Sequence, residues 1–153
     1  MEFSSKGLEL LKSLEGYRAK PYNDSANHAT VGYGTPLHYG PVTDADLERY
    51  KEGISEPDAA QLLMNHVHIT VEPSINTAVR VELQQNQFDA LCSFVYNVGV
   101  AAFDNSTLLR KLNMQQYDSV PNELARWNRA GGEYSAGLAN RREKEIEFWK
   151  GIA

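Results

Sequence analysis

Residues 14–35 change from helical to extended character within a few positions, and this change constrains the fold more than any other feature of the sequence. The preceding residues 5–15 carry apolar side chains at helical spacing, and Gly16 can end such a helix. Pro21, an Asn-Asp-Ser turn and the β-prone run Ala-Thr-Val-Gly-Tyr-Gly follow. We therefore predict a short helix that leads directly into a small antiparallel hairpin.

Two helix starts follow the hairpin. The run Thr43-Asp44-Ala45-Asp46 resembles a capping box, in which side chains bond the backbone N–H groups at a helix start. Ser55 precedes a second, longer helix, which Pro73 should end or kink because proline lacks an N–H group.

The remainder of the chain carries a helical pattern. Residues 84–98 place apolar side chains at helical spacing and are apolar enough to form the centre of a domain. A further helix should carry Leu124 and Trp127, and a final helix should follow a loop over residues 131–137.

These signals predict an α+β fold that is mainly helical, in one domain that spans residues 1–153. The expected lobes are a sheet-bearing one over residues 15–55 and a larger helical one, formed by residues 56–153 and the N-terminal helix. A cleft between two lobes is a natural place for a ligand to bind.

The formal net charge of −5 is concentrated between Gly40 and Ile75, where acidic residues greatly outnumber basic ones. This acidic total disfavours a nucleic-acid partner, because phosphate binding needs a net positive surface. A basic cluster towards the C-terminus is most simply a solvated face, although it could also meet an anionic polymer. Its members are Arg126, Arg129, Arg141, Arg142 and Lys144.

Cys92 is the only cysteine, so the chain cannot form an internal disulfide. The N-terminal segment is amphipathic and lacks the continuous apolar core of a signal peptide or a membrane-spanning helix. We therefore expect the protein to accumulate in the cytosol where it is made and not to insert stably into a membrane.

Two carboxyl groups fall on different local structures of the segment 14–35. Glu15 lies in the last turn of the predicted helix, where the partial negative charge of the helix end disfavours a carboxylate by roughly 0.3–1 kcal/mol. Asp24 lies in a polar turn, where backbone amides and water stabilise the ionised form. Glycosidic bond hydrolysis needs such an acid and such a base, and Thr30 on the next strand can hold a water beside Asp24.

The same three residues also have a purely structural interpretation. Glu15 could be a solvated surface acid, Asp24 a turn former and Thr30 a strand residue favoured by its β propensity. Composition does not decide between the two interpretations.

The histidines do not predict a metal site. His66 and His68 would point to different faces of a helix and cannot jointly bind a metal there. His28, in the turn between Asp24 and Thr30, is expected to face solvent.

The segment that carries the carboxyl groups resembles a known active site. The motifs concerned are Glu15-Gly16, Lys20-Pro21-Tyr22, Asp24 and Thr30-Val31-Gly32-Tyr33-Gly34. They are similar to the active-site segment of the phage-type lysozymes, glycoside hydrolase family 24. The resemblance covers nearly the whole chain and is weakest between Leu37 and Asn76. One departure is Thr35, where many members have a histidine, and there we expect changed packing or a changed hydrogen bond under the hairpin.

The resemblance implies a lysozyme-like fold and assigns roles to individual residues. Glu15 matches the family's catalytic acid, Asp24 its second carboxylate and Thr30 its threonine. Arg141 matches an arginine that approaches the glutamate from the last helix. Tyr33 belongs to the motif as a substrate-binding or supporting residue.

The function that the resemblance implies is that of an endolysin. Such a muramidase hydrolyses the β-1,4 bond between N-acetylmuramic acid and N-acetylglucosamine in bacterial peptidoglycan, with inversion, and lyses the host cell. A lytic transglycosylase and a non-catalytic wall-binding module remain alternatives.

No cofactor is expected. The expected partners are peptidoglycan and a separate membrane-permeabilising, holin-type protein, which would give a monomeric enzyme access to the wall from the bacterial cytoplasm.

Overall fold

In a computed structural model that describes residues 1–152, the chain folds into two compact units. One is Leu8–His66, here called the sheet unit. The other combines Met1–Gly7 with the chain from Val67 onward and is here called the helical unit. Helices dominate and one three-stranded antiparallel sheet accompanies them, so the predicted α+β, mainly helical fold class is confirmed.

The helices are mostly short, and those in residues 1–152 do not combine the length and apolarity needed to cross a bilayer. They are α1 Ser5–Glu15, α2 Asp44–Arg49, α3 Glu56–His66, α4 Glu72–Ala78, α5 Gln85–Val98, α6 Val100–Asp104, α7 Thr107–Asn113, α8 Val120–Ala125 and α9 Ala136–Trp149. The strands are β1 Arg18–Asn23, β2 Ala29–Gly32, β3 Thr35–His38, β4 Arg129–Ala130 and β5 Glu133–Tyr134.

The first helix has the bounds that the sequence predicts. The Ser4 hydroxyl oxygen accepts the Gly7 N–H at 3.1 Å and so caps the start of α1. Gly16 adopts a φ of +70°, and its N–H donates to the Lys12 carbonyl at 3.1 Å. Because this left-handed conformation favours glycine, Gly16 fixes Glu15 as the last helical residue.

The predicted hairpin is confirmed and extended by a third strand, with the sheet order β1-β2-β3. Tyr22 of β1 lies opposite Thr30 of β2. The turn after β2 depends on Gly32, which has a φ of +68°. A Cβ added there would lie 3.0 Å from the Ala59 Cβ, so α3 packs against the sheet at a position that suits only glycine.

The boundary between the units differs from the expected one at residue 55. α3 packs on β2 and β3 and therefore belongs to the sheet unit, which ends at His66. Most of α1 also belongs to this unit rather than to the helical one. The helical pattern of a segment predicts its structure, but not which neighbour it packs against.

The irregularity expected at Pro73 lies one turn earlier. α3 continues into a π-helical turn, Val67–Val71, and α4 begins at Glu72. Pro73 then lies in the first turn of α4, where N–H groups have no helical acceptor in any case. The proline therefore starts a helix rather than ending one.

α5 lies at the centre of the helical unit, as its apolar pattern predicts. Residues 88–95 are all buried, and α9 is the most extensive packing partner of α5. Cys92 is a buried free thiol, and burial raises the pKa of that thiol well above its usual range.

Two local predictions for the C-terminal part are wrong. α8 ends at Ala125, so Trp127 lies beyond it, with its ring edge-on to Phe94 at a centroid separation of 5.3 Å. Residues 129–134 form the hairpin β4–β5 instead of a loop, and α9 includes Gly137. Both differences concern short elements, whose sequence signals span only a few residues.

The basic cluster does not form one solvated face. Three of its members are exposed, but Arg141 is only 7% exposed and Arg142 only 1%. The Nε atoms of Arg141 and Arg142 lie 3.3 Å and 2.9 Å from carboxylate oxygens of Glu145. Burial raises the pKa of Glu145, and the two guanidinium charges oppose that shift. The shared carboxylate gives both buried cations a partner of opposite charge.

Candidate active site

Glu15 is the last residue of α1 and is partly exposed. One turn earlier on the same helix, the Lys12 ammonium lies 2.6 Å from Glu56 Oε1. The Tyr33 hydroxyl donates to the same oxygen at 3.0 Å. The end of α1 is therefore tied to the β2–β3 turn and to the start of α3, which fixes the backbone that carries Glu15.

These three groups shift one another's pKa values. The hydrogen bond from Lys12, followed by that from Tyr33, lowers the pKa of Glu56, and the same pairing raises the pKa of Lys12. Burial and the bond to Glu56 raise the pKa of Tyr33, which is only 6% exposed and packs its ring on Tyr17 at 5.6 Å. Glu56 is a supporting residue that the sequence analysis missed, because only the fold brings it to Lys12. Direct contact of Tyr33 with substrate stays a prediction.

Asp24 lies in the turn between β1 and β2, and its carboxylate organises that turn. Asp24 Oδ1 accepts the N–H groups of Ala26 and His28, each at 2.9 Å. The Asp24 N–H donates to the His28 carbonyl, also at 2.9 Å. Oδ1 of Asp24 thus stabilises the turn, whereas Oδ2 of the same carboxylate accepts no hydrogen bond within residues 1–152. The second oxygen is available to act on a water.

Thr30 lies on β2, where it is only 4% exposed. Its hydroxyl donates to the His28 carbonyl at 3.0 Å. Because that bond uses the hydroxyl hydrogen, the oxygen keeps its lone pairs and can accept a hydrogen bond from a water. The structure therefore brings Asp24 and Thr30 together on the backbone of one residue, His28.

His28 is not the solvent-facing residue that the sequence predicts. It is partly buried, and its Nδ1 accepts the Gly40 N–H at 2.8 Å. Its ring meets that of Tyr39 edge-on, with the centroids 5.2 Å apart. Gly40 lies 12 residues further along the chain, so no local pattern could have revealed this bond.

The phenol of Tyr22 lies within electrostatic range of both carboxyl groups. It lies opposite Thr30, and the Arg18 guanidinium carbon is 4.3 Å from its ring centroid. Burial raises the pKa of Tyr22, Arg18 opposes the shift, and the negative charges of Glu15 and Asp24 add to it. Both carboxylates are therefore within electrostatic range of one phenol.

The remaining candidates belong to the helical unit. Arg141 belongs to the helical unit, where its Nη2 donates to the Ser93 carbonyl at 3.0 Å, and its approach to Glu15 stays a prediction. His68 Nδ1 lies 2.7 Å from Glu72 Oε1. In the part of the chain that the structure describes, no three His, Cys, Asp or Glu side chains are grouped as a metal would require.

Thr35 is the first residue of β3 and lies opposite Val31. Its hydroxyl oxygen is buried and has no hydrogen-bond partner among the described residues. The position at which the sequence departs from the family pattern therefore leaves one buried polar atom under the hairpin.

The fold and the candidate site together indicate the class of protein to which the chain belongs. A mainly helical α+β chain, in which a helix end and a hairpin each present a carboxyl residue, is typical of the lysozymes. Residues 12–145 match the family model described as Phage lysozyme. The chain belongs to the phage lysozyme family.

Curated relatives agree with this assignment. The endolysin of Salmonella phage P22 is 38% identical over 148 residues, which cover 97% of this chain and 98% of that protein. The endolysin of Bacillus phage B103 is 40% identical over 147 residues, which cover 95% of this chain and 52% of that protein. The chain thus spans about half the length of its Bacillus phage relative and nearly the full length of the P22 protein.

Solved structures show the same fold. A mutant of P22 lysozyme superposes with a TM-score of 0.81 at 34% identity, covering 98% of this chain and 99% of that one. The muramidase domain of SpmX from Asticaccaulis excentricus gives a TM-score of 0.81 at 30% identity, covering 97% of each chain. The lysozyme-like fold predicted from the sequence is confirmed.

Proposed function

We propose that the chain is a muramidase that hydrolyses the β-1,4 bond between N-acetylmuramic acid and N-acetylglucosamine in bacterial peptidoglycan, and that it acts as an endolysin. Family membership and similarity to endolysins and to a muramidase domain support this proposal. The observation that carries it is that Asp24 and Thr30 are both bonded to the backbone of His28, in the same unit in which α1 ends at Glu15. Glycosidic bond hydrolysis needs an acid and a base around the same bond.

Glu15 is the proposed general acid. It gives its proton to the leaving glycosidic oxygen as the bond to the sugar carbon breaks. It is the last residue of α1, directly before the glycine that ends the helix. The contacts of Lys12 with Glu56 and Tyr33, one turn back, keep that helix end in place.

Asp24 and Thr30 are proposed to hold the attacking water. Asp24 Oδ2 accepts one hydrogen of the water, and the Thr30 oxygen, which has already donated to His28, accepts the other. The lone pairs of the water are then free to attack the sugar carbon. As the new carbon–oxygen bond forms, the released proton passes to Asp24.

A single displacement by water inverts the configuration at the sugar carbon. Proton NMR of the first product should therefore show the α anomer from the β-linked substrate. A β anomer as first product would make Asp24 a nucleophile and would contradict the water-holding role of Thr30.

The acid role of Glu15 can be tested by the clearing of purified cell walls. Glu15→Gln removes the proton donor at nearly constant volume and should lower the clearing rate by about 10²–10⁴-fold. Glu52→Gln changes an exposed acid of the same unit and should clear walls at the wild-type rate. A wild-type protein that binds walls without clearing them would be a non-catalytic wall-binding module.

The products separate hydrolysis from the lytic transglycosylase reaction, which the comparisons do not favour. Mass spectrometry of the digest should show muropeptides with reducing ends. Anhydro ends would indicate transglycosylation, which consumes no water and needs neither Asp24 nor Thr30. Near-full activity of Asp24→Ala would likewise contradict the proposed mechanism.

We further propose that the enzyme is a monomer made in the bacterial cytoplasm and that a separate holin-type protein gives it access to the wall. Its similarity to phage endolysins supports this proposal. Expression alone should then be tolerated, and lysis should follow a membrane-disrupting agent. Rapid lysis without such an agent would contradict the need for a partner, and light scattering would report the mass in solution.

A further inference from the structure

We propose that His28 is a positioning residue, whose ring anchors the turn that carries Asp24 and leads into Thr30. This proposal rests on the catalytic roles proposed above for Asp24 and Thr30. His28 acts through the bonds of its backbone and its ring and does not touch the reacting atoms.

The backbone of His28 supports both Asp24 and Thr30. Its N–H donates to Asp24 Oδ1 at 2.9 Å, and its carbonyl accepts the Asp24 N–H at 2.9 Å and the Thr30 hydroxyl at 3.0 Å. A displacement of the His28 backbone would therefore move both groups that are proposed to hold the water. We expect the spacing of the two groups to depend on the position of this backbone.

The His28 ring fixes that backbone to the connection after β3. Its Nδ1 accepts the Gly40 N–H at 2.8 Å, and the Gly40 carbonyl accepts the Ala29 N–H at 2.8 Å. Two neighbouring residues thus hold both polar groups of Gly40, which has a φ of +83°. The ring bond needs the Nδ1 lone pair, so it exists for the neutral ring with its proton on Nε2.

The rest of the turn has few anchors. Residues 23–27 are exposed, and Asn27 has a left-handed φ of +63°. Asn23 Oδ1 accepts the Val42 N–H at 2.7 Å and holds the start of the turn. The ring of His28 is the corresponding anchor at its end.

Kinetics on soluble peptidoglycan fragments test the proposal. His28→Ala removes the acceptor for Gly40 and should lower kcat by about tenfold with little change in KM, since misplacement of a catalytic group by about 1 Å can cost up to about 10²-fold. His28→Asn places an amide oxygen close to the position of Nδ1 and should restore kcat to within about threefold of wild type.

A residue that merely stabilised the fold would lower the unfolding temperature without changing kcat of the folded enzyme. Amide hydrogen exchange adds a second measure of the anchoring. The Gly40 amide should exchange slowly in wild type and in His28→Asn, and faster in His28→Ala. The Gly53 amide, which donates to the Tyr50 carbonyl at 2.8 Å in the same unit, should stay unchanged in all three.

The outcomes separate this proposal from the proposed function. Full activity of both Asp24→Asn and Thr30→Ala would overturn the catalytic roles that are proposed for Asp24 and Thr30. If those variants lose activity while His28→Ala keeps kcat within about twofold, or if His28→Asn loses as much as His28→Ala, the positioning role is wrong. Should His28→Ala fail to fold, nitrogen-15 NMR of wild-type His28 decides: an unprotonated Nδ1 supports the anchor, and a protonated one overturns it.

Discussion

The Tyr33 hydroxyl and Glu56 Oε1 are 3.0 Å apart, and this hydrogen bond joins the β2–β3 turn to the first residue of α3. Lys12 of α1 reaches the same oxygen at 2.6 Å. Three elements of the sheet unit therefore meet at one carboxylate. Since α1 ends at Glu15 and β2 carries Thr30, this contact supports both parts of the proposed site.

The hydroxyl of Tyr33 should contribute measurably to stability. Tyr33→Phe keeps the ring against Tyr17 and removes the bond to Glu56, so the free energy of unfolding should fall by about 1 kcal/mol in denaturant titrations. Tyr39→Phe is the matched control, because Tyr39 is 91% exposed, and it should change stability by less than about 0.5 kcal/mol. A Tyr33→Phe variant that is fully stable but inactive would instead assign the hydroxyl to substrate binding.

His38 should give the sheet unit a pH-dependent stability. Its Nδ1 lies 2.7 Å from the Tyr39 carbonyl and its Nε2 lies 2.6 Å from Asp46 Oδ2, so the ring satisfies both acceptors only when it is protonated. The bond to the Tyr39 carbonyl, followed by that to Asp46, raises the pKa of His38 above 6.5.

A raised folded-state pKa means that the stabilisation is complete below pH 6.5 and is lost as pH rises through the folded value. The difference in unfolding temperature between wild type and His38→Gln should therefore be largest near pH 6 and should decrease as the pH rises. The decrease should correspond to the loss of about one charged hydrogen bond. A difference that is independent of pH would show that the ring is neutral in the folded protein.

The elements with strong local signals could be predicted from the sequence. α1 begins and ends at the predicted residues because Ser4 caps it and Gly16 ends it. The capping box at Thr43 is confirmed for the same reason, since Thr43 Oγ1 and the Asp46 carboxylate each bond the other's backbone N–H. Such signals act over three or four residues and need no tertiary partner.

The features that the sequence could not reveal depend on residues far apart in the chain. The ring of His28 is fixed by Gly40, and the burial of Arg141 depends on Ser93 of another helix. Charge pattern alone predicts a solvated face there, because a charge is buried only when a partner comes with it. The resemblance identified the candidate residues, but it did not show that the backbone of His28 bonds both Asp24 and Thr30.

Gly32 should tolerate no side chain, for two separable reasons. Gly32→Ala places a Cβ on a residue with a φ of +68° and brings it within 3.0 Å of the Ala59 Cβ, so the free energy of unfolding should fall by about 2–3 kcal/mol. Gly16→Ala has the same backbone strain but no atom within 4 Å of the new Cβ, and should cost about 1–2 kcal/mol.

The double variant Gly32→Ala with Ala59→Gly isolates the steric part. Removing the Ala59 methyl group should recover part of the loss in denaturant titrations, after correction for the cost of Ala59→Gly alone. If the two substitutions are strictly additive, the contact between the turn and α3 is not what excludes a side chain at Gly32.

Glu145 should be the most sensitive acid of the last helix. It is fully buried, lies against Arg141 and Arg142, and accepts the Ser93 hydroxyl at 2.5 Å. Glu145→Gln removes the negative charge that faces two buried guanidinium groups and should lower the free energy of unfolding by about 3–5 kcal/mol. Glu143→Gln, an exposed acid on the same helix, should change it by less than about 0.5 kcal/mol. Equal effects of the two substitutions in denaturant titrations would mean that the buried charges are compensated by other groups, and the ion-pair network would then not be what holds α9 against α5.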